Sequence, residues 1–283
     1  MQRKQNYKAR RGFVTIAVNS ESIDYLRLAY LQALSIKATQ KNNLCAVIVD
    51  HATYLTIEQK HRDLFDYIIE AEETDIAGGF RYEWQVYWLT PFKETIKLEA
   101  DVLLTRSIDH WWDSFALRDI CLSHGTLNFR GNKISNRSQR KLFDDNHLPD
   151  LYNGLMYFGT GETAHAFFIL AEQIFKNWEI LQQEALQNCR DSTPTTDVVY
   201  ALAASIIGDE LCHIPTLDFI NFVHMKAILQ GWPGSMPWME QVMTEVDGTM
   251  IRINNLNQYF PVHYHEKEFA TARLIKHYES LRA

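Results

Sequence analysis

The stretch TIKLEADVLL, residues 95–104, sets two carboxylates, Glu99 and Asp101, inside an apolar run. Side chains alternate along a strand, so both acids point to the same side if the strand continues. Two carboxylates that share a site repel each other unless a proton or a cation neutralises them. Their hard oxygens suit Mg²⁺ or Mn²⁺, which usually bind together with substrate phosphates. The pair therefore predicts a metal site, and a structural acid pair that caps a turn is the alternative.

Strands and helices alternate around this pair. Buried strands are predicted at residues 12–18, 44–50, 66–73 and 94–104. Helical spacing predicts a helix over residues 22–40, with Ser20 or Ser22 as its N-cap, and shorter helices over 56–65 and 82–90. The last of these is expected to stop at Pro91. This alternation predicts an α/β fold with a mostly parallel central sheet flanked by helices.

Acidic residues gather where these strands end. In open parallel sheets, ligands bind beyond the carboxyl ends of the strands. Besides Glu99 and Asp101, the acids near such ends are Asp50, Glu70 and Glu72. The sequence therefore predicts a ligand site at this edge of the sheet.

The second half of the chain has a different pattern. It predicts a strand within 150–161, long helices over 162–186 and 195–208, a hairpin that turns at Asp247-Gly248, and a closing helix within 266–282. We expect a single domain spanning residues 1–283. Its nucleotide-binding half would cover residues 12–110, and an acceptor-side half would cover 111–283.

Composition limits the class of protein. The 283 residues are 46% hydrophobic and 22% charged, which suits a globular protein with a substantial core. No apolar run approaches the roughly 18 to 20 residues of a membrane span, and the segment FVTIAV is too short for a signal-peptide core. The four cysteines form no CxxC pair. A reduced cytoplasmic setting is therefore expected.

The net charge of -7 conceals two segments that contain basic residues and no acid. One is residues 1–20, with Arg3, Lys4, Lys8, Arg10 and Arg11. The other is residues 120–143, with Arg130, Lys133, Arg137, Arg140 and Lys141. Such segments either face an anionic partner such as nucleic acid or are simply solvated.

The segment PFKETIKLEADVLLTRSIDHWW, residues 91–112, resembles the part of GT-A fold glycosyltransferases in which a strand runs into a metal-binding DxD motif. The opening VTIAVNSESIDYLRLAYLQALSIK, residues 14–37, resembles the first strand, nucleotide-contacting turn and helix of that family. YNGLMYF, TTDVVYALAASIIG and FVHMK followed by GW resemble later family segments, in the expected order. The resemblance covers most of residues 12–232 and implies Mn²⁺ or Mg²⁺ with a nucleoside diphosphate sugar as donor.

The resemblance also implies roles for individual residues. Asp101 would chelate the metal, Glu99 would contact the metal or the ribose, and His224 would be a third metal ligand. Asp197 would be a general base in an inverting enzyme, or would orient the sugar in a retaining one. The remaining contacts implied are Asn19, Ser20 and Asp50 with the nucleoside, Lys93 with the nucleotide or sugar, Lys226 with the diphosphate, and Asn153 and Gly154 with the sugar.

The sequence departs from the family pattern in two places. Glu99 stands where Asp is usual, and the residues after His224 do not follow the form H-x-x-G-x-x-K-P-W. His263 and His265 could instead join His224 in an imidazole metal site. The structural alternatives are that Asp50 caps the next helix and that Gly154 marks a bulge or a close backbone approach.

Several functions remain open. The acceptor could be a glycan, a lipid-linked sugar, a protein, or a hydroxymethylated base in phage DNA, which such transferases can glycosylate. The alternatives from other classes are a nucleotidyltransferase, whose Gly-rich opening loop is missing here, and a non-catalytic module that binds sugar nucleotides or nucleic acid. Rossmann oxidoreductase, P-loop and serine hydrolase functions have no motif support.

Overall fold

The computed structural model describes residues 7–71, 83–135, 140–214 and 220–282. The strands are β1 (Ala9–Ile16), β2 (Cys45–Val49), β3 (Tyr67–Glu70), β4 (Phe92–Leu98), β5 (Val102–Leu103), β6 (Ile120–His124), β7 (Thr126–Leu127), β8 (Lys133–Ile134), β9 (Leu151–Phe158), β10 (Val223–His224), β11 (Thr244–Asp247), β12 (Met250–Ile253), β13 (Leu256–Asn257) and β14 (Val262–His263). The helices are α1 (Tyr25–Thr39), α2 (His51–Tyr54), α3 (Gln59–Leu64), α4 (Val86–Leu89), α5 (Trp111–Phe115), α6 (Lys141–Asp145), α7 (Glu162–Lys176), α8 (Trp178–Glu184), α9 (Thr196–Ile207) and α10 (Ala272–Ser280).

The main sheet has six strands in the order β3-β2-β1-β4-β9-β6. Strands β1 to β4 pair in parallel, whereas β9 is antiparallel to both β4 and β6. The chain runs outward from β1 to β3 and returns to the other side of β1 as β4, so the strand order reverses between β1 and β4. Such a reversal opens a crevice at the carboxyl ends of the strands. The predicted α/β architecture is confirmed.

Two smaller sheets complete the fold. One has the order β5-β14-β10-β7-β8, and the other is the antiparallel set β11-β12-β13. The hairpin predicted near Asp247-Gly248 is confirmed, because Asp247 pairs with Met250 across the turn.

Apolar layers cover both faces of the main sheet. Buried residues of α1, α5 and α10 belong to one hydrophobic cluster, and those of α4, α7 and α9 belong to the other. In α1 every residue from Leu26 to Ile36 except Arg27 is buried, because the sheet lies on one side and α10 packs on another. No helix in the described ranges is both long and apolar enough to cross a bilayer.

Three predicted elements need correction. Helix α1 begins later than expected, because Asp24 and not Ser20 or Ser22 accepts the capping hydrogen bond, from the Arg27 N–H. The helix expected over 162–186 is broken at Asn177 into α7 and α8. The strand expected over 94–104 ends at Leu98, and the chain then turns and enters a different sheet as β5.

Candidate active site

Glu99 and Asp101 lie in the turn that connects the main sheet to the second sheet. Strand alternation therefore does not bring them together. Instead, the Glu99 N–H donates to Gly154 O at 3.2 Å, and Asp101 O accepts from the Tyr264 N–H at 3.1 Å. The turn is thus fixed on one side by β9 and on the other by the chain that follows β14.

His263 completes a group of three ligand atoms. Its Nε2 lies 2.9 Å from Asp101 Oδ2 and 3.4 Å from Glu99 Oε2. In the described part of the chain, Glu99, Asp101 and His263 are the group whose donor atoms, all within 4.8 Å of one another, could hold a metal ion. Two carboxylate oxygens and one imidazole nitrogen suit Mn²⁺, and the carboxylates also suit Mg²⁺. The donor set therefore fits the metal that the resemblance implies.

The charges of this triad are strongly coupled. Burial raises the pKa of Glu99 to about 7, against the lowering effect of His263 and Lys97. Burial also opposes ionisation of Asp101, but His263 and Lys267 outweigh it and lower the pKa of Asp101 below its usual range. For His263, the attraction of Asp101 and Glu99 overcomes the effect of burial and raises the pKa. In the metal-free triad the ionised form of Asp101 and the protonated form of His263 therefore stabilise each other.

Lys267 is a cation that the sequence reasoning did not select. Its Nζ donates to Asp101 Oδ2, and its ammonium lies 5.9 Å from the centre of the Tyr25 ring. It follows His263 by four residues, so the same C-terminal segment brings an imidazole and an ammonium to the acids. The nearest sequence signal was the H-x-H pair in PVHYH, which gives no indication of Lys267.

His224 lies behind His263 and not beside the acids. The two imidazole rings are stacked, and His224 Nε2 lies 3.4 Å from the Tyr152 hydroxyl. Burial, followed by the neighbouring charges of His263 and His265, lowers the pKa of His224 well below its ordinary value. The third donor beside the acids is therefore His263, and a ligand role for His224 stays a prediction. His265 packs near both rings, at 5.7 Å from His224 and 6.1 Å from His263.

Asn153 and Asp197 are both close to the triad, as expected. Asp197 Oδ1 accepts from the Asn153 N–H at 2.9 Å, and the Asn153 Nδ2 lies 3.4 Å from Glu99 Oε1. Asp197 Oδ2 pairs with Arg140 Nη2 at 2.6 Å. Lys226 is half-buried, and its pKa is lowered by burial and by the charge of Arg140. Asp197 thus connects Asn153 to Arg140, and the charge of Arg140 acts in turn on Lys226.

The predicted nucleoside contacts lie at the correct edge of the sheet, but their side chains organise turns there. Asn19 Oδ1 accepts from the Leu26 N–H at 2.9 Å, and Ser20 Oγ accepts from the Ile23 N–H at 3.0 Å. Asp50 is buried and caps α2 through the Thr53 N–H. The capping alternative for Asp50 is confirmed, and contact of these three residues with a nucleoside stays a prediction.

Two other predicted residues are placed differently. Lys93 is exposed at the start of β4, whereas the acids follow the end of that strand, and its contact with the nucleotide stays a prediction. Gly154 lies under the ring of Phe222, where an added Cβ would be 2.8 Å from Cζ. The close backbone approach that was the alternative for Gly154 is thus observed.

The two basic segments also lie in different places. Arg10 and Arg11 pair with Glu94 at the opposite end of β1 from the site, so this part of the N-terminal segment is not beside the acids. Arg140 reaches Asp197, and the exposed residues of its segment are Arg130, Lys133 and Lys141. Arg3, Lys4, Glu72 and Arg137 lie outside the described residues.

Comparison with known proteins identifies the fold. No protein-family model and no curated protein matches the sequence. The galactosyltransferase LgtC, solved with donor and acceptor sugar analogs, matches with a TM-score of 0.52 at 10% identity over 96% of this chain and 96% of LgtC. Mouse xyloside xylosyltransferase 1 matches with a TM-score of 0.44 at 10% identity, over 74% of this chain and 85% of that one. The glycosyltransferase GlyE of Streptococcus pneumoniae TIGR4 matches with a TM-score of 0.48 at 8% identity, over 97% of this chain and 60% of GlyE. The match to LgtC shows that this chain has the GT-A glycosyltransferase fold.

Proposed function

We propose that this protein is a metal-dependent glycosyltransferase that moves a sugar from a nucleoside diphosphate sugar to an acceptor hydroxyl. The observation that carries the proposal is the convergence of Glu99, Asp101 and His263 at the point where the strand order reverses. Ligands bind at such points in open α/β sheets. The triad would hold Mn²⁺ or Mg²⁺, which would offset the charge that develops on the departing diphosphate.

The chain's own residues supply the remaining parts. Lys226 would contact the diphosphate. Lys267 would neutralise Asp101 while no metal is bound, as it does in this structure. Asn153 and Asp197 would lie beside the sugar. Both oxygens of Asp197 already accept N–H donors, from Asn153 and Arg140. That arrangement favours the orienting role for Asp197 over the role of general base. The site would draw on both halves of the chain, because the acids precede residue 111 and the other groups follow it.

Donor binding is tested by a thermal-shift screen of nucleoside diphosphate sugars, with and without Mn²⁺. We expect one donor to raise Tm only when Mn²⁺ is present, since a ligand at 100 times its Kd stabilises a protein by about 2.7 kcal/mol. Asp101→Asn should abolish the shift. The matched control is Asp113→Asn, which removes an exposed carboxylate of α5 and should keep the shift. A screen in which no donor stabilises the wild type contradicts the proposal.

Catalysis must be separated from binding. Release of the nucleoside diphosphate from the selected donor, first into water and then with candidate acceptors, would distinguish a transferase from a non-catalytic binding module. A nucleotidyltransferase would instead release pyrophosphate from a nucleoside triphosphate. Binding of the donor without any release in every acceptor pool would favour the module.

An anionic acceptor, with hydroxymethylated bases in DNA as the specific case, is proposed from the position of Arg140. This residue pairs with Asp197 and belongs to a segment whose exposed members are Arg130, Lys133 and Lys141. Contacts with phosphate would make binding depend on salt, and the target base would have to be flipped out of the duplex.

A gel shift with duplex DNA at low salt tests this acceptor. Neutralising Arg130, Lys133 and Lys141 together should weaken binding, whereas the control Lys8→Ala, at the opposite end of β1, should not. Absence of any complex at low salt would exclude DNA and leave the glycan and protein acceptors.

A further inference from the structure

A buried ion pair lies directly beneath the triad. The side chain of Lys97 is 1% exposed and that of Glu83 is 8% exposed, and the Lys97 ammonium donates to Glu83 Oε1. Lys97 comes two residues before Glu99 on β4, and Glu83 comes just before α4. Taking two charges out of water is costly, and pairing does not necessarily repay that cost. Stability alone therefore does not explain why this buried position holds an ion pair.

The amide of Asn153 connects this pair to the site. Its Oδ1 accepts from Lys97 Nζ at 2.9 Å, and its Nδ2 donates to Glu83 Oε1 at 2.8 Å. The same Nδ2 lies 3.4 Å from Glu99 Oε1, and the backbone N–H of Asn153 holds Asp197 Oδ1. Because Lys97 fixes the oxygen of the amide and Glu83 fixes its nitrogen, the side chain has one orientation. In that orientation its N–H groups face Glu99.

Glu83 also reaches the helix that carries Asp197. Its Oε2 accepts a hydrogen bond from the hydroxyl of Thr196, the residue before Asp197. The carboxylate of Glu83 thus has donors from β4, β9 and the first turn of α9. Groups that hydrogen-bond to metal ligands orient those ligands, and their loss typically lowers metal affinity about 10- to 100-fold.

We propose that Lys97 and Glu83 are positioning residues that act through Asn153 to hold Glu99 and Asp197 in a fixed mutual geometry. This inference rests on the metal site of the proposed function. The contacts of both side chains described above are with each other, with Asn153 and with Thr196. Their effect is on where the carboxylate of Glu99 sits before a cation arrives.

The test uses two double variants, because a single substitution would leave one buried charge without its partner. Lys97→Met/Glu83→Gln removes both charges and keeps an oxygen that can accept from Thr196 or Asn153. Lys97→Met/Glu83→Leu removes that acceptor as well. Mn²⁺ affinity is measured by electron paramagnetic resonance of the free ion, and Tm is measured on the same samples. We expect the Leu double variant to fold but to bind Mn²⁺ about 10- to 100-fold more weakly, and the Gln double variant to recover part of that loss.

The matched control is the ion pair of Arg11 with Glu94, which joins β1 to β4 at the end of β4 that lies away from the acids. Arg11→Met/Glu94→Gln should lower Tm without changing Mn²⁺ affinity. Affinity of the folded Leu double variant within twofold of the wild type would overturn the inference while leaving the proposed function intact. If the wild type itself bound no Mn²⁺, the proposed function would fail first.

If the double variants do not fold, Asn153→Ser leaves the Lys97–Glu83 pair in place, and unchanged Mn²⁺ affinity there would equally overturn the inference.

Discussion

The imidazole ring of His224 lies flat against that of His263, with centroids 4.5 Å apart and planes inclined by 9°. Only His263 faces the acids, since its Nε2 is the atom 2.9 Å from Asp101. His224 supports that ring from behind and turns its own Nε2 towards Tyr152. The two histidines are therefore not equivalent, although both are buried.

His263→Ala should abolish measurable Mn²⁺ binding, because it removes one of the three donors. His224→Ala leaves all three donors in place and removes only a packing partner, so we expect at most about a 10-fold loss, the lower end of the range for supporting residues. Calorimetric titration of each variant with Mn²⁺ measures the difference. A larger loss of Mn²⁺ affinity for His224→Ala than for His263→Ala would instead identify His224 as the metal ligand.

Mn²⁺ affinity should rise with pH. The pKa of His263 is raised above its ordinary value of about 6.5 by Asp101 and Glu99, so a cation must displace its proton. Glu99, with a pKa raised to about 7, titrates in the same direction. Titrations between pH 6 and 8.5, in two buffers of different ionisation enthalpy, would reveal the affinity change and the released protons. An affinity that is flat over this range contradicts the ligand assignment.

The contribution of His263 to the stability of the metal-free protein depends on pH in the opposite direction. The folded-state pKa of His263 lies above its unfolded value, so its contribution to stability is fully present below about pH 6.5 and is lost as pH rises through the folded pKa. With a chelator present, the urea midpoint of the wild type relative to that of His263→Ala should record that decline, because His224, whose pKa is lowered by burial, titrates in both proteins. His263→Ala should remove its share of the decline.

Lys226 and Lys93 form a matched pair of lysines for the diphosphate contact. Lys226 lies beside Arg140 and Asp197, whereas Lys93 is exposed at the other end of β4. Lys226→Ala should weaken binding of the nucleoside diphosphate product by roughly 10- to 100-fold, since hydrogen bonds to charged groups contribute about 1.5–3 kcal/mol. Lys93→Ala should leave that affinity unchanged. Equal effects of the two substitutions would contradict the position assigned to the diphosphate.

Gly154→Ala should destabilise the protein by about 1–3 kcal/mol, the usual cost of overpacking a core. The added methyl group would meet the Phe222 ring at 2.8 Å. Gly234→Ala is the control, because no atom lies within 4 Å of a Cβ at that position. Urea denaturation of both variants measures the difference, and equal midpoints would rule out the close approach as the reason for glycine at position 154.

The order of strands and helices in the first half was predictable because each buried strand and each amphipathic helix carries its own local period. The acids were predictable because two carboxylates in an apolar run have few structural explanations. The reason given for their proximity was wrong, since β4 ends at Leu98 and the following turn, not strand alternation, places them. The separation of Lys93 from the acids was not predictable, because it depends on strand direction, which a motif does not state.

The partners of the acids could not be predicted from local pattern. His263 reaches Asp101 because the two-residue strand β14 pairs with the two-residue strand β5 across about 160 positions of sequence. Strands of that length have no detectable period. The same holds for Glu83, whose bonds to Lys97, Asn153 and Thr196 depend on the tertiary arrangement of three separate elements.

The turn at Glu99 and Asp101 also connects the main sheet, which contains β4, to the second sheet, which contains β5. Since Glu99 follows β4 and His263 lies in β14, a cation held by both would act as a crosslink between two sheets that are otherwise joined here by a three-residue turn. The residues of β5 and β14 are buried, so their amides exchange with solvent through local or global opening of the structure. Binding of the cation should therefore slow amide hydrogen exchange at Val102, Leu103 and Val262, the residues of the two strands that the cation would hold together.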